Sequence, residues 1–295
     1  MYKGTVYRPP LESNTLLLPI TEGCSHNSCS FCSMYQGVVF RMLKVTEVEA
    51  YLQNIKLNYE EYSNYIKRIY LVGADPFVLS TKKLIERISL IRRYLPNIEK
   101  ITMYARTDNI ASKSDDDLIE LKELGVDDLY VGVECGLNDV MKTLNKGYSA
   151  DETCEQCLRL NKIGIKHNSL LMLGTAGRGR GQECARATAK LENEIKPVRI
   201  LINTMTSFQG TKLEEDIKTG KFIQPSEKEN LEEEMEILER LELPECYFWA
   251  AHPLDEAKIE GFLKENKQRM LDILSWKIEH LNENSIIRVS RVGTL

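Results

Sequence analysis

Cys24, Cys29 and Cys32 fall within nine residues, in Gly-Cys-Ser-His-Asn-Ser-Cys-Ser-Phe-Cys, and no other segment of the 295-residue chain concentrates as much chemistry. Three thiolates on one loop can each hold one iron of a cubane cluster and leave the fourth iron without a protein ligand. An open metal position can bind a small molecule, as it does at catalytic metal sites. Zinc is the rival, but structural zinc is closed by four ligands in paired spacing. His26 could complete such a set only by bending back inside the gap between Cys24 and Cys29. The spacing favours iron–sulfur over zinc.

Four further segments carry side chains that could do chemistry. Gly73-Ala74-Asp75-Pro76 closes an apolar run; a glycine there lets a ligand approach the main chain, whose carbonyls can accept from an ammonium. Taken alone, the same four residues make an ordinary turn. Gly174-Thr175-Ala176-Gly177-Arg178-Gly179-Arg180-Gly181 opens a helix. Its glycines, with Arg178 and Arg180, suit an anion-binding loop, a mobile loop being the alternative. Tyr247 to Pro253 brings Trp249 and His252 into one short stretch, a candidate wall for a small, partly apolar substrate bearing a carboxylate or phosphate. The alternative is that these aromatics pack the tail onto the rest of the chain. Cys154-Glu155-Gln156-Cys157 can ligate a second cluster or act in redox chemistry, but it falls mid-helix, with no compact ligand set beside it.

These side chains need strand ends to carry them. Apolar runs predict strands near 16–20, 68–72, 99–104, 128–133, 167–173 and 198–203, with amphipathic helices near 46–57, 81–94, 114–124, 150–163 and 181–194 between them. Alternation of this kind gives a parallel sheet. Six units predict an α/β fold, a partial (β/α)6 TIM-like barrel over residues 1–205, with chemistry at the C-terminal ends of the strands. A mostly helical extension, 206–295, follows, with helices near 226–241 and 263–282; the acidic run Glu232 to Glu234 reads as a solvated helix face. Hydrophobic residues at 42% and charged residues at 28% describe a soluble globular protein. No apolar run reaches the ~18 residues of a membrane span. The first ten residues lack the apolar core of an export signal, which predicts a cytoplasmic protein whose eight cysteines serve as ligands and core thiols. A net charge of −5 disfavours a nucleic-acid partner.

The order of these motifs resembles the radical S-adenosylmethionine (SAM) superfamily, in the branch of oxygen-independent coproporphyrinogen oxidase and the methylthiotransferases. Four residues separate Cys24 from Cys29, where three is the family's commonest spacing; Phe31 keeps the family's aromatic before the last cysteine. The resemblance implies a 4Fe–4S cluster on Cys24, Cys29 and Cys32, with SAM chelated to the open iron. Gly73, Ala74 and Asp75 are similar to the Gly-Gly-Glu-Pro segment that binds the SAM amino group, with Ala74 and Asp75 as departures. Val131-Gly132-Val133-Glu134-Cys135-Gly136 leading to Asn145-Lys146-Gly147 resembles the segment whose glutamate grips the ribose diol, so Glu134 takes that role, a rim carboxylate paired with a lysine being the alternative. Cys135 replaces the branch's serine and reads as a packing residue. Arg106 and the Gly174 loop are candidates for the SAM carboxylate, an ordinary ion pair being the alternative for Arg106. The implied activity is reductive cleavage of SAM to a 5′-deoxyadenosyl radical that abstracts hydrogen from a small, anionic substrate, with reduced flavodoxin or ferredoxin as electron donor. An iron–sulfur electron carrier or assembly protein, or a zinc scaffold, would explain the cysteines but not Glu134.

Overall fold

The computed structural model describes residues 5–58 and 64–281. Strands and helices alternate from the start: β1 (Leu16–Pro19), β2 (Thr21–Glu22), β3 (Arg41–Met42), α1 (Val45–Asn58), β4 (Arg68–Val72), α2 (Thr81–Tyr94), β5 (Lys100–Ala105), α3 (Thr107–Ala111), α4 (Asp115–Glu123) and β6 (Val126–Glu134). The chain continues through α5 (Asn138–Thr143), α6 (Ala150–Ile163), β7 (Lys166–Leu173), α7 (Gly181–Ile195), β8 (Arg199–Thr204), α8 (Lys212–Lys218), α9 (Glu227–Arg240), β9 (Tyr247–Ala250), β10 (Ile259–Phe262) and α10 (Leu263–His280). Residue 282, the expected end of the last helix, lies outside the described residues.

Eight strands form one sheet in the order β1, β4, β5, β6, β7, β8, β9, β10, while β2 and β3 pair separately. Parallel registers join β1 to β4, β4 to β5, β5 to β6, β7 to β8 and β8 to β9, and β10 returns antiparallel along β9. This is the TIM-like α/β fold expected. The tail goes further than expected, because besides its helices it adds β9 and β10 to the sheet.

The chain packs as two compact units: residues up to 27 with 37–131 and 159–167, and residues 28–36 with 132–158 and 168 onward. The first unit is built on β1, β4 and β5, whose Leu18, Ile69, Leu71, Ile101 and Met103 are fully buried. Near the start of these strands, Arg68 Nη2 meets Glu12 Oε1 at 2.5 Å and Asp128 Oδ1 at 2.9 Å. Tyr130 donates to Glu12 at 2.8 Å. Above this network the rings of Tyr70, Tyr104 and Tyr130 meet edge to face, with centroids 5.7–6.2 Å apart. Two-residue alternation along β6 puts Asp128 and Tyr130 on one face.

The second unit is built on β7, β8 and β9 with α7, α9 and α10. Ser226 and Glu229 form a capping box that fixes the start of α9. One expectation about α9 is overturned. Glu233 and Glu234 are 2% and 1% exposed, so within the acidic run only Glu232 is partly open to solvent.

His167, at the start of β7, is 1% exposed and neither ring nitrogen has a hydrogen-bond partner. Burial lowers its pKa from 6.5 to about 4. The unfolded chain therefore binds a proton below the ordinary value while the folded chain resists it, and this histidine's contribution to stability is lost as pH falls through that window. Urea unfolding should show the His167→Leu protein gaining on the parent by about 3 kcal/mol between neutral pH and about pH 4. A difference that does not change with pH would show that the folded protein protonates His167 freely.

Candidate metal centre

Cys24 follows β2 and is partly exposed, its sulfur accepting from the Asn27 N–H at 3.3 Å. Burial, and then the charge of Asp75, push its thiol up. Asp75 itself is fully buried beyond β4. It accepts from the Ser25 hydroxyl, from Ser25 N–H at 3.3 Å and from Asn109 Nδ2 at 3.3 Å. The carboxylate thus braces the residue next to Cys24, a role for this substituted position that the sequence did not give. Gly73 is required where it stands: its φ is +154° and a Cβ would lie 1.9 Å from Thr21 Oγ1. Ala74 beside it is half-buried. Arg106 is 6% exposed, and its fork is held by Asp108, at 3.0 Å through Nε and 2.9 Å through Nη2.

In the second unit the loop carrying Cys29, Phe31 and Cys32 is fastened by backbone. Ser30 N–H donates to Leu144 O at 2.9 Å, Asn145 Nδ2 donates to Ser28 O at 2.6 Å, and Leu213 N–H donates to Ser30 O at 2.8 Å. Asn145 adopts φ +54°, a left-handed turn that asparagine tolerates. The next residue, Lys146, places Nζ 2.7 Å from Glu134 Oε1, with the two side chains 8% and 12% exposed. The same ammonium lies 5.9 Å from the centre of the Phe31 ring and 5.5 Å from that of Tyr148. Burial opposes this charge, but Glu134 and then Tyr148 and Cys29 more than restore it, and the lysine is held well above its ordinary pKa. Glu134 ends β6 with φ +61°, an unusual value for a non-glycine residue. Gly132 must be small, since a Cβ would come within 2.9 Å of Glu134 Oε1. The lysine partner weighed as the alternative for Glu134 is thus Lys146, which the sequence reading did not name; its signal was the Asn-Lys-Gly turn twelve residues beyond Glu134.

The remaining candidates are engaged by the chain's own groups. The glycine loop after β7 binds carboxylates of α9: Gly174 N–H donates to Glu233 at 2.9 Å and Gly179 N–H to Glu229 at 2.8 Å. Gly174 O accepts from Gly177 N–H at 3.2 Å. Arg180 is half-exposed between Asp139 at 2.8 Å and Glu183 at 2.9 Å, and Arg178 is exposed 3.9 Å from Glu229. The expected anion loop is filled by internal carboxylates. Trp249 is 7% exposed on β9, in register with Leu201 of β8. His252 is half-buried, and its Nδ1 accepts from Leu254 N–H at 3.2 Å, which leaves the proton on Nε2 in the neutral ring. Burial, then Lys258, lower its pKa. Cys154 and Cys157 lie on α6, Cys157 fully buried, and burial pushes the Cys154 thiol up to about 11. Cys135 is buried against Cys184, as a packing residue would be.

Among the described residues no three of His, Cys, Asp or Glu converge as ligands of a single metal ion. A cubane asks for a different donor set, because its thiolates bind separate irons. Cys24, Cys29 and Cys32 are partly exposed thiols that form no disulfide and fall within nine residues, which is the donor chemistry that such a cluster needs. The radical SAM superfamily model matches residues 18–191. The chain belongs to the radical SAM superfamily. The family's cofactors are a 4Fe–4S cluster and SAM, and these are the cofactors of this chain. Heme chaperone HemW of Bacillus subtilis (strain 168) is 22% identical over 218 residues, 72% of this chain and 54% of its own length. The HemW of Lactococcus lactis is 21% identical over 208 residues, 70% of this chain and 53% of its own. The chain thus spans about half the length of the curated relatives it matches. In fold it is similar to methylornithine synthase, with a TM-score of 0.58 at 16% identity over 88% of this chain and 68% of that one. Coproporphyrinogen III oxidase from Escherichia coli gives 0.54 at 18% identity, over 76% of this chain and 50% of that one. No helix among the described residues is long and apolar enough to cross a membrane.

Proposed function

We propose that the protein is a radical SAM enzyme acting on a small molecule, with Cys24, Cys29 and Cys32 as cluster ligands. When bound, the reduced cluster and SAM supply a 5′-deoxyadenosyl radical that takes a hydrogen atom from the substrate. The chain's part is to bind, orient and exclude water. Glu134 presents a carboxylate to the ribose diol, and its pairing through Oε1 leaves Oε2 for that purpose. Lys146 holds Glu134 in place beside the cysteine loop. The backbone of Gly73 to Asp75 takes the SAM amino group, and Arg106, positioned by Asp108, is offered to the carboxylate. Phe31 shields the loop. The electron comes from reduced flavodoxin or ferredoxin.

One observation carries this reading: the loop with Cys29 and Cys32 is built onto the segment that holds Glu134, through Ser30, Asn145 and Lys146. An electron carrier has no need to tie its cluster loop to a buried carboxylate. With dithionite, the cluster-loaded protein should cleave SAM slowly to 5′-deoxyadenosine without substrate. Glu134→Ala should weaken SAM binding by about 5- to 150-fold, the loss of one or two hydrogen bonds of roughly 1–3 kcal/mol in all, and leave the visible spectrum of the cluster intact. No cleavage, together with no effect of SAM on the EPR signal, would leave an electron carrier or a haem-handling role like that named for the curated relatives.

A further inference from the structure

A helix packed on a core normally turns apolar side chains inward. On α9 the buried face carries Asn230, Glu233 and Glu234, at 4%, 2% and 1% exposure. Glu233 is bonded to Gly174 N–H. The other two are not satisfied: neither carboxamide atom of Asn230 has a hydrogen-bond partner, nor does Glu234 Oε1. Buried polar atoms without partners are costly, and a pair of them four residues apart on one helix face marks a place where something else completes the bonding. Asn230 lies against the end of β7, its Oδ1 2.9 Å from where a Gly174 side chain would begin. Glu234 stands in the field of Asp255. Asp255 accepts from Thr204 N–H at the end of β8 and from His252 N–H just beyond β9, both at 2.9 Å. The set therefore spans the C-terminal ends of β7 and β8 and the turn beyond β9, the end at which barrel enzymes hold their substrates. The cation beside it, Lys258, is exposed, and its Nζ already donates to the carbonyls of His252 and Asp255.

We propose that Asn230, Glu234 and Asp255 recognise the substrate, and that the group they take is an ammonium or another cation rich in N–H donors. The proposal rests on the enzyme reading above. An ammonium brings three donors to a place supplied with open acceptors, whereas an anion would meet two carboxylates. Burial pushes Asp255 up to about 6 and Glu234 well above its ordinary value, so the arriving cation would displace protons.

Cells grown in heavy water supply the test. Their small molecules are loaded in acid on a cation exchanger, which retains every amine, and the retained and unretained fractions are added separately to the reduced, cluster-loaded protein with SAM. Deuterium should enter 5′-deoxyadenosine from the retained fraction alone. Glu234→Gln should raise the amount needed for half-maximal labelling about tenfold, the loss of one charged hydrogen bond. The same variant should keep the melting temperature within about 2 °C, because a neutral amide of the same shape replaces an acid that burial already keeps neutral. A purely structural Glu234 would lower the melting temperature and leave the labelling response unmoved. Label drawn only from the unretained fraction, or from neither while unlabelled 5′-deoxyadenosine still forms, overturns the ammonium assignment. Absence of all 5′-deoxyadenosine with the cluster intact would instead fail the enzyme reading.

Discussion

Reconstituted with iron and sulfide without oxygen, the Cys29→Ala protein should hold no stable cluster, whereas the parent should hold about four irons and four sulfides with broad absorbance near ~400 nm. With one thiolate gone, two irons of a cubane would lack protein ligands, and Lys146 would face no thiolate at position 29. Cys24→Ala and Cys32→Ala should behave alike. Cys154→Ala and Cys157→Ala should load normally, since these thiols sit on a regular helix and Cys157 is fully buried. A full complement of iron in Cys29→Ala would remove the cluster assignment. A second complement lost only in the Cys154 and Cys157 variants would establish an auxiliary cluster.

The Lys146→Met protein should lose about 3–5 kcal/mol of stability, because it leaves the Glu134 carboxylate buried and unpaired. The pair is 2.7 Å long and nearly dry. Adding Glu134→Gln to Lys146→Met should recover much of the loss, as removal of both charges also removes the uncompensated one. Urea unfolding of the metal-free proteins measures this without any cofactor. A loss below about 1 kcal/mol would mean that water reaches Glu134 freely and that the pair is an ordinary surface one.

Much of the frame was legible because its signals are local. The six barrel strands announce themselves as apolar runs, and Ser114 and Ser226 start their helices with side-chain caps that proximity alone determines. What escaped depends on distant partners. Tyr247 to Ala250 reads as an aromatic cluster; it becomes a strand only because β8 lies alongside it. Glu233 and Glu234 look like any solvated acidic run, and which helix face is buried was settled by packing rather than by their own composition. The glycine loop reads as a set of anion-binding N–H groups, and two of them, at Gly174 and Gly179, meet Glu233 and Glu229, more than fifty residues further along the chain from Gly174. Lys146 hid inside a turn motif, and only the fold brought it to Glu134 and Phe31.

The pairing of β9 with β8 bears on how this protein could acquire a new specificity. A chain cut after β8 would bare a row of unpaired N–H and C=O groups along Arg199 to Leu201, where Tyr247 to Trp249 now bond, and would invite pairing with other chains. The C-terminal region is therefore not a cassette that evolution could exchange whole without passing through an aggregating intermediate. Divergence has its easier course in single substitutions on the inner face of α9, where Asn230 and Glu234 can change while β9 stays paired with β8.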